Sequence, residues 1–319
     1  MAGIRRRAIG AIGVFPYLEP VACSYSRGMG EVLTCPQRVD SSYDLRLPRM
    51  GSVDAVGLEE RAAALAARDV EGATRLQALT IAVGLLELPA LDETETPGSV
   101  QEICRRAVRP EPADRSVPPV AAICVTPRLV PLCRDCLRDA DVSVASLVMP
   151  AEALRTVEAG ADEIEVKFDA SVFLTGGYAP VVDQIARVKD ATGEADLTVV
   201  VEPGGLGTYD ELRRAALLAI LAGADFIELL PASFPTALCT LETIRDVCDH
   251  TGHAVGLKAV GDHPTADHAV GYLMLAHDTL GLGWMTRDRY RLGGPRLLDT
   301  LLKEIRSERI DARRHAALG

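Results

Sequence analysis

Aromatic side chains are scarce. Only 4% of the 319 residues are Phe, Trp or Tyr, and Trp occurs once. Burial must rest on Ala, Leu and Val within a hydrophobic content of 48%. That composition suits α/β layers filled with small branched residues, and the chain is long enough to bury a sizeable core. A surplus of positive charge is also missing: 34 basic residues face 45 acidic ones, for a formal net charge of −11. This argues against non-specific binding to nucleic acid, while a local site could still oppose the global field. No apolar run approaches the length of a membrane span, so no membrane partner is expected. Arg5, Arg6 and Arg7, followed by Ala8 to Val14, imitate a secretory leader; Pro16, Glu19 and Pro20 cut the run short, and that reading is rejected.

A compact cysteine framework is lacking too. The eight cysteines are scattered through apolar or helical contexts, which fits a reducing cytoplasm. Cys133 and Cys136 have CxxC spacing, but no second such pair and no nearby histidine pair completes a zinc site. They are read as two helix-side thiols, and neither a resident metal nor a cofactor is expected.

The segment Glu163 to Asp169 is the most informative feature present. Ile164, Val166 and Phe168 occupy one face of a period-two strand, and Glu163, Glu165, Lys167 and Asp169 occupy the other. Two further apolar runs carry one charge each: Glu228 within Ala224–Leu230 and Lys258 within Ala254–Gly261. Buried charge is costly unless paired or used.

Strands and helices alternate around these runs. Strands are expected near Leu85–Leu91, Val120–Val125, Val142–Leu147, Glu163–Phe168, Leu197–Glu202, Phe226–Leu230 and Ala254–Val260, with a weaker eighth at Leu282–Met285. Helices are expected between them, the last at Gly294–Arg306. Eight such units describe an α/β fold, a (β/α)₈ TIM barrel, over residues 75–319. Residues 1–74 read as an irregular N-terminal extension with one helix at Leu58–Val70, packing on the main body or on another subunit of a homodimer. In a barrel, alternate strand residues point into the lumen, so Glu165, Lys167, Glu202, Glu228 and Lys258 are expected to converge at one mouth.

From Leu85 to Leu301 the chain resembles the deoxyribose-phosphate aldolase family, class I aldolases on this barrel. The resemblance rests on Ala122–Arg128, Gly160–Val166, Ala222–Ile227, Gly256–Gly261 and Tyr290–Gly293. It implies an aldolase-like carbon–carbon lyase acting on a small-molecule carbonyl substrate. It also implies departures. The family's Schiff-base lysine corresponds to Glu228, within Phe226–Ala232, and a glutamate cannot form an imine. The catalytic aspartate of the fourth strand corresponds to Glu165, the first-strand aspartate to Glu87, and the second active-site lysine is kept as Lys258. The phosphate-binding loop reads Gly261-Asp262-His263-Pro264, and the last helix begins at Gly293-Gly294-Pro295-Arg296. Asp262 repels an anion there, while Arg296 could meet one at the helix N-terminus. A 5-phosphate held as in the family is expected to bind poorly.

Three functional readings follow. An imine could form on a relocated lysine, Lys258 first and Lys167 second. Alternatively Glu165, Glu228 and Lys258 could run acid–base chemistry for an isomerisation, dehydration or cyclisation; a metal held by Glu87, Glu165, Glu202 and Glu228 is a weaker variant. Or the chain is an inactive paralogue that binds or regulates an aldolase, against which the retained lumen charge argues. Cys124, Glu87, Glu202, Gly261, Asp262, Gly293 and Arg296 are the substrate-binding candidates. The plainer alternatives are a Lys258–Glu228 salt bridge, and a pair between Lys167 and Glu202 or Asp169.

Overall fold

The computed structural model describes residues 51–318 apart from 69, 93, 264 and 295, all within one compact unit. The strands are β1 (Leu86–Ala90), β2 (Ala122–Val125), β3 (Ser143–Leu147), β4 (Glu163–Lys167), β5 (Asp196–Val201), β6 (Phe226–Leu229), β7 (Gly256–Val260) and β8 (Tyr290–Gly293). They close in sequence order, every neighbour parallel, so the barrel expectation holds.

The helices among the described residues are α1 (Ala55–Ala66), α2 (Gly72–Gly84), α3 (Pro97–Val108), α4 (Val130–Cys136), α5 (Ala153–Glu158) and α6 (Ala170–Leu174). They continue with α7 (Tyr178–Thr192), α8 (Pro203–Leu206), α9 (Tyr209–Leu221), α10 (Phe234–Thr251), α11 (Ala266–Leu280) and α12 (Leu297–Leu318). Local chemistry sets several starts. The side chains of Thr96, Asp169, Thr208, Ser233 and Thr265 each accept a backbone N–H at the head of the following helix. None of the described helices is long and apolar enough to cross a membrane.

The tetrapeptide Ala-Gly-Ala-Asp occurs twice, at 159–162 before β4 and at 222–225 before β6. The two copies do the same work. Gly160 and Gly223 turn the chain at φ 107° and 100°, a region that favours glycine. Asp162 accepts the Val144 N–H at 2.9 Å and pairs with Arg134. Asp225 accepts the Leu197 N–H at 2.7 Å and pairs with Lys189 at 2.6 Å. Each aspartate thus ties its strand to the preceding one at the N-terminal face.

Two boundaries differ from expectation. The eighth strand is Tyr290–Gly293, not Leu282–Met285. Gly281 ends α11 at φ 82°, Leu282–Trp284 form a short 3₁₀ turn, and Leu282 is exposed. Near the N-terminal end, the expected helix at Leu58–Val70 lies at Ala55–Ala66, and a second helix, α2, spans residue 74 and packs on α11 and α12. Most of the expected extension, residues 1–50, lies outside the described residues.

Register positions the lumen. Following paired residues once round the barrel from Glu87 returns to β1 eight residues earlier, the shear of a TIM barrel. Inward residues therefore stack in layers of four from alternate strands. The lowest is Ala122, Glu163, Phe226 and Arg291. Above it lie Glu87, Ala145, Thr198 and Lys258, and then Cys124, Glu165, Glu228 and Gly293. Pro89, Leu147, Val200 and Val260 line the mouth at the C-terminal ends of the strands.

Candidate active site

Two cations and four carboxyl groups fill the three lower layers. Lys258 Nζ donates to Glu87 at 2.8 Å, Glu163 at 3.2 Å and Glu165 at 2.5 Å. The strand β7 lies three places from β4, so these side chains meet only through the lumen. Arg291 donates to both oxygens of Glu163 at 2.6 Å, and to Glu87 at 3.1 Å. The guanidinium also lies 4.9 Å from the centroid of the Phe226 ring, its neighbour in the lowest layer. The Lys258 side chain is 0% exposed, and none of its carboxylate partners exceeds 6%.

Position within this stack sets each proton. Burial alone would raise Glu163, but Arg291 and Lys258 overcome it and hold the carboxyl at about 2. Two layers higher on the same strand, burial and the Glu87 charge push Glu165 up to about 7 against the pull of Lys258. Glu228 has no such partner. Burial, with Glu165 and Glu87 nearby, raises its carboxyl well above the ordinary value and favours the neutral acid, against a smaller pull from Lys258 and Arg291. Its Oε2 is buried without a hydrogen-bond partner among the described residues, as are the hydroxyls of Thr198 and Thr126. Burial opposes the charge on Lys258, but Glu165, Glu87 and Glu163 outweigh it and hold the amine above its ordinary range. The Cys124 thiol, raised by burial and by Glu165, lies 3.1 Å from Glu165 Oε2.

The expected site residues divide. Glu87, Cys124, Glu165, Glu228 and Lys258 are brought together in the lumen, with Gly293 completing the layer of Cys124, Glu165 and Glu228. Lys167 and Glu202 are not part of it. Lys167 ends β4 on the rim, 63% exposed, and pairs with Glu202 at 2.9 Å. The expectation that both converge with Lys258 is corrected: the inward parity is right, but they stand above the buried layers, in water. The alternative Lys258–Glu228 bridge is corrected as well. Among the described residues no hydrogen bond or ion pair joins these two, because Lys258 spends its three donors on β1 and β4. In the loop after β7, Gly261 donates to the Gly293 carbonyl at 3.0 Å. Asp262 and Arg296 are exposed, and Pro264 and Pro295 lie outside the described residues. His263 is buried instead, 3.2 Å from the Ala259 carbonyl and edge-on to Tyr272.

Sequence reasoning missed Glu163 and Arg291 as members of the site. Both carried a signal. Glu163 shares a face with Glu165, and Arg291 stands between Tyr290 and Leu292 in the Tyr290–Gly293 segment. Glu87, Cys124 and Glu165 also offer three ligand atoms within 4.8 Å of one another, a set able to take a metal ion. Lys258 already supplies a cation to two of them. Glu202 is held on the rim and cannot join the four-glutamate metal set considered from sequence.

Fold and lumen together define a (β/α)₈ barrel with a buried cluster of charged side chains below the C-terminal mouth. No family model matches the chain. The mouse deoxyribose-phosphate aldolase is 32% identical over 253 residues, covering 70% of this chain and 79% of that protein. The human enzyme of that name is 30% identical over the same coverage. A crystal structure from Toxoplasma gondii, given the same name provisionally, superposes with a TM-score of 0.65 at 23% identity, covering 73% of this chain and 96% of that one. The chain belongs to the deoxyribose-phosphate aldolase family, and so to aldolase-like lyases.

Proposed function

We propose that the chain is a carbon–carbon lyase of this family, with an altered substrate and an acid–base centre in place of an imine. One observation carries the reading. Glu165, its carboxyl pushed up to about 7, shares a layer with Glu228, where burial favours the neutral acid and Oε2 has no hydrogen-bond partner among the described residues. One group is suited to take a proton at pH 7 and the other to donate a hydrogen bond.

For a β-hydroxycarbonyl substrate, Glu165 as carboxylate removes the hydroxyl proton. The carbon–carbon bond then breaks, its electron pair passing to the α-carbon and carbonyl as an enolate. Glu228 donates to the enolate oxygen and Lys258 supplies fixed positive charge. The proton on Glu165 returns to the α-carbon, releasing two carbonyl compounds. An imine on Lys258 would first require its ammonium to lose a proton while three carboxylates surround it. That opposes the neutral amine such chemistry needs. Glu87 and Cys124 are assigned to the substrate-binding wall, with Gly261, Gly293, Asp262 and Arg296 at the rim. Lys167 and Glu202 flank the entrance. A cytoplasmic homodimer is the proposed setting.

The same observation favours a second reading. Proton transfer between Glu165 and a carbonyl compound, with no bond cleavage, gives an isomerase, dehydratase or cyclase. A panel of aldehydes, ketones and β-hydroxycarbonyl compounds, assayed with and without borohydride, separates the readings. Cleavage without borohydride inactivation, lost in Glu165→Gln, supports the lyase. A covalent adduct on Lys258 or Lys167 overturns the acid–base centre. Altered products of unchanged carbon count favour the second reading. Because Glu228 stands at the imine position and Asp262 lies within the loop that corresponds to the phosphate loop, cleavage of 2-deoxyribose 5-phosphate should be far slower than an ordinary ~10 s⁻¹. Turnover within about tenfold of that rate sinks the claim of an altered substrate.

A further inference from the structure

A second set of reactive side chains lies outside the lumen, on the helical layer. Cys104 comes from α3, and Cys133 and Cys136 from α4. The sulfurs of Cys104 and Cys133 are 3.9 Å apart. Cys136 sits one helical turn beyond Cys133 on the helix that packs against α3. Cys104 and Cys133 are 2% and 0% exposed, whereas Cys136 is exposed. The thiols of Cys124 and Cys239, by contrast, face a carboxylate and a backbone carbonyl.

We propose that Cys104, Cys133 and Cys136 form a peroxide-reactive thiol site that closes a disulfide between α3 and α4. Cys104 decides the chemistry, because it lies against Cys133 and on the helix packed against the one that carries Cys136. Cys136 is the accessible thiol. Its thiolate attacks hydrogen peroxide, the O–O bond breaks, and hydroxide leaves to give a sulfenic acid. Cys104 attacks that sulfur, forming the Cys104–Cys136 disulfide and releasing water. The Cys133 thiolate then attacks Cys104 and expels the Cys136 thiolate, leaving a Cys104–Cys133 disulfide. The net change is two thiols and one peroxide to one disulfide and two waters. A disulfide needs sulfurs at about 2 Å, so the Cys104 and Cys133 sulfurs must close by roughly 2 Å.

The hydrogen bond with Cys133 and burial push the Cys104 thiol up, so its attack on the sulfenic acid is the slow step. The hydrogen bond with Cys104 lowers the Cys133 thiol, preparing it for the exchange step. Burial, with Cys104 beside it, raises Cys136, so entry should quicken as pH rises and more thiolate forms. The link would tie α3, which follows the strand of Glu87, to α4, which follows the strand of Cys124.

The test treats the full chain with a small excess of hydrogen peroxide. Free thiols are then alkylated, and peptides are mapped before and after reduction. The expected result is a dithiothreitol-reversible Cys104–Cys133 link that forms faster at higher pH. Cys136→Ser should slow it at least tenfold, on the order expected when an accessible thiolate is removed. Cys104→Ser should give no link and a dimedone-reactive sulfenic acid at Cys136. Circular dichroism of each variant confirms folding, and the conservative Cys133→Ala variant should stop at the Cys104–Cys136 link. Peroxide-treated wild type that keeps all three thiols overturns the proposal. So does a Cys136→Ser variant that oxidises as fast as wild type.

Discussion

Lys258 and Lys167 occupy inward positions on barrel strands, yet their surroundings are opposite. Lys258 lies in the second layer, 0% exposed, with three carboxylates as partners. Lys167 lies on the rim, 63% exposed, with one carboxylate that is itself 56% exposed. Height in the barrel, not parity, separates them. A buried ammonium among carboxylates is fixed in charge and position, and its removal strands its partners. An ammonium in water can be removed almost without consequence for stability. Parity reads from sequence at period two, but height requires the shear, which only the closed register supplies.

The sharpest way to break this contrast is to delete the buried cations' partnerships. Lys258→Met should destabilise the fold by roughly 3–5 kcal/mol, because Glu87, Glu163 and Glu165 lose their shared counter-ion. Glu163→Gln should fall in the same range by freeing Arg291. Urea unfolding followed by circular dichroism reads both. A loss below about 1 kcal/mol for Lys258→Met would mean that the lumen network is not what holds these charges.

The next effect is on pH dependence, and the two glutamates of β4 should act in opposite senses. Glu165 has a folded value raised to about 7, so the folded state binds its proton more tightly than the unfolded chain does. Its contribution is therefore fully present below the unfolded value of about 4.5 and lost as pH rises through about 7. Glu163, held at about 2, contributes stability above its unfolded value that is lost as pH falls through about 2. The urea midpoint of wild type, less that of Glu165→Gln, should decline between pH 4.5 and 7. Parallel curves across that window would remove Glu165 as the neutral-pH titrating group.

The barrel was largely legible because its strands carry period-two alternation and charges that a buried sheet rarely tolerates. The seven strands around Glu87, Cys124, Val144, Glu165, Val199, Glu228 and Lys258 stand where that pattern puts them. The eighth did not, and the error propagated. Assigning Leu282–Met285 as a strand left Arg291 outside the barrel, so its charge had no lumen to enter. The Glu163–Arg291 clamp was missed for that reason, and Lys258 seemed to need Glu228 as partner. Lys167 and Glu202 were drawn into the lumen because parity cannot tell a buried layer from the rim. Helix α2 escaped because Gly72–Gly84 runs apolar into β1 with no breaker between them except Gly84.

A smaller effect should come from Glu228→Gln. Burial favours the neutral acid, and the amide then replaces a group of similar size and polarity without removing a charge. Stability should shift by less than about 1 kcal/mol, well below the effect of Glu163→Gln on the same measurement. Activity on any cleaved carbonyl compound should fall only modestly, since the amide N–H can still donate to the enolate oxygen, though less strongly than a carboxylic acid. A loss near that of Glu163→Gln would show Glu228 to be ionised and paired.

The smallest effect is expected at the rim. Lys167→Met removes one partner of a solvent-exposed pair, and such pairs contribute about 0–1 kcal/mol, weakened further by salt. The unfolding midpoint should hardly move, and raising the ionic strength should erase what difference remains. The functional readout is separate. If Lys167 only flanks the entrance, the substitution should change KM for a carbonyl substrate and leave kcat near wild type. If instead it abolishes kcat, and borohydride labels Lys167 in the wild type, the exposed amine is the one that reacts. The contrast between the two lysines would then reverse: the buried one would hold the barrel together, and the one in water would carry the chemistry.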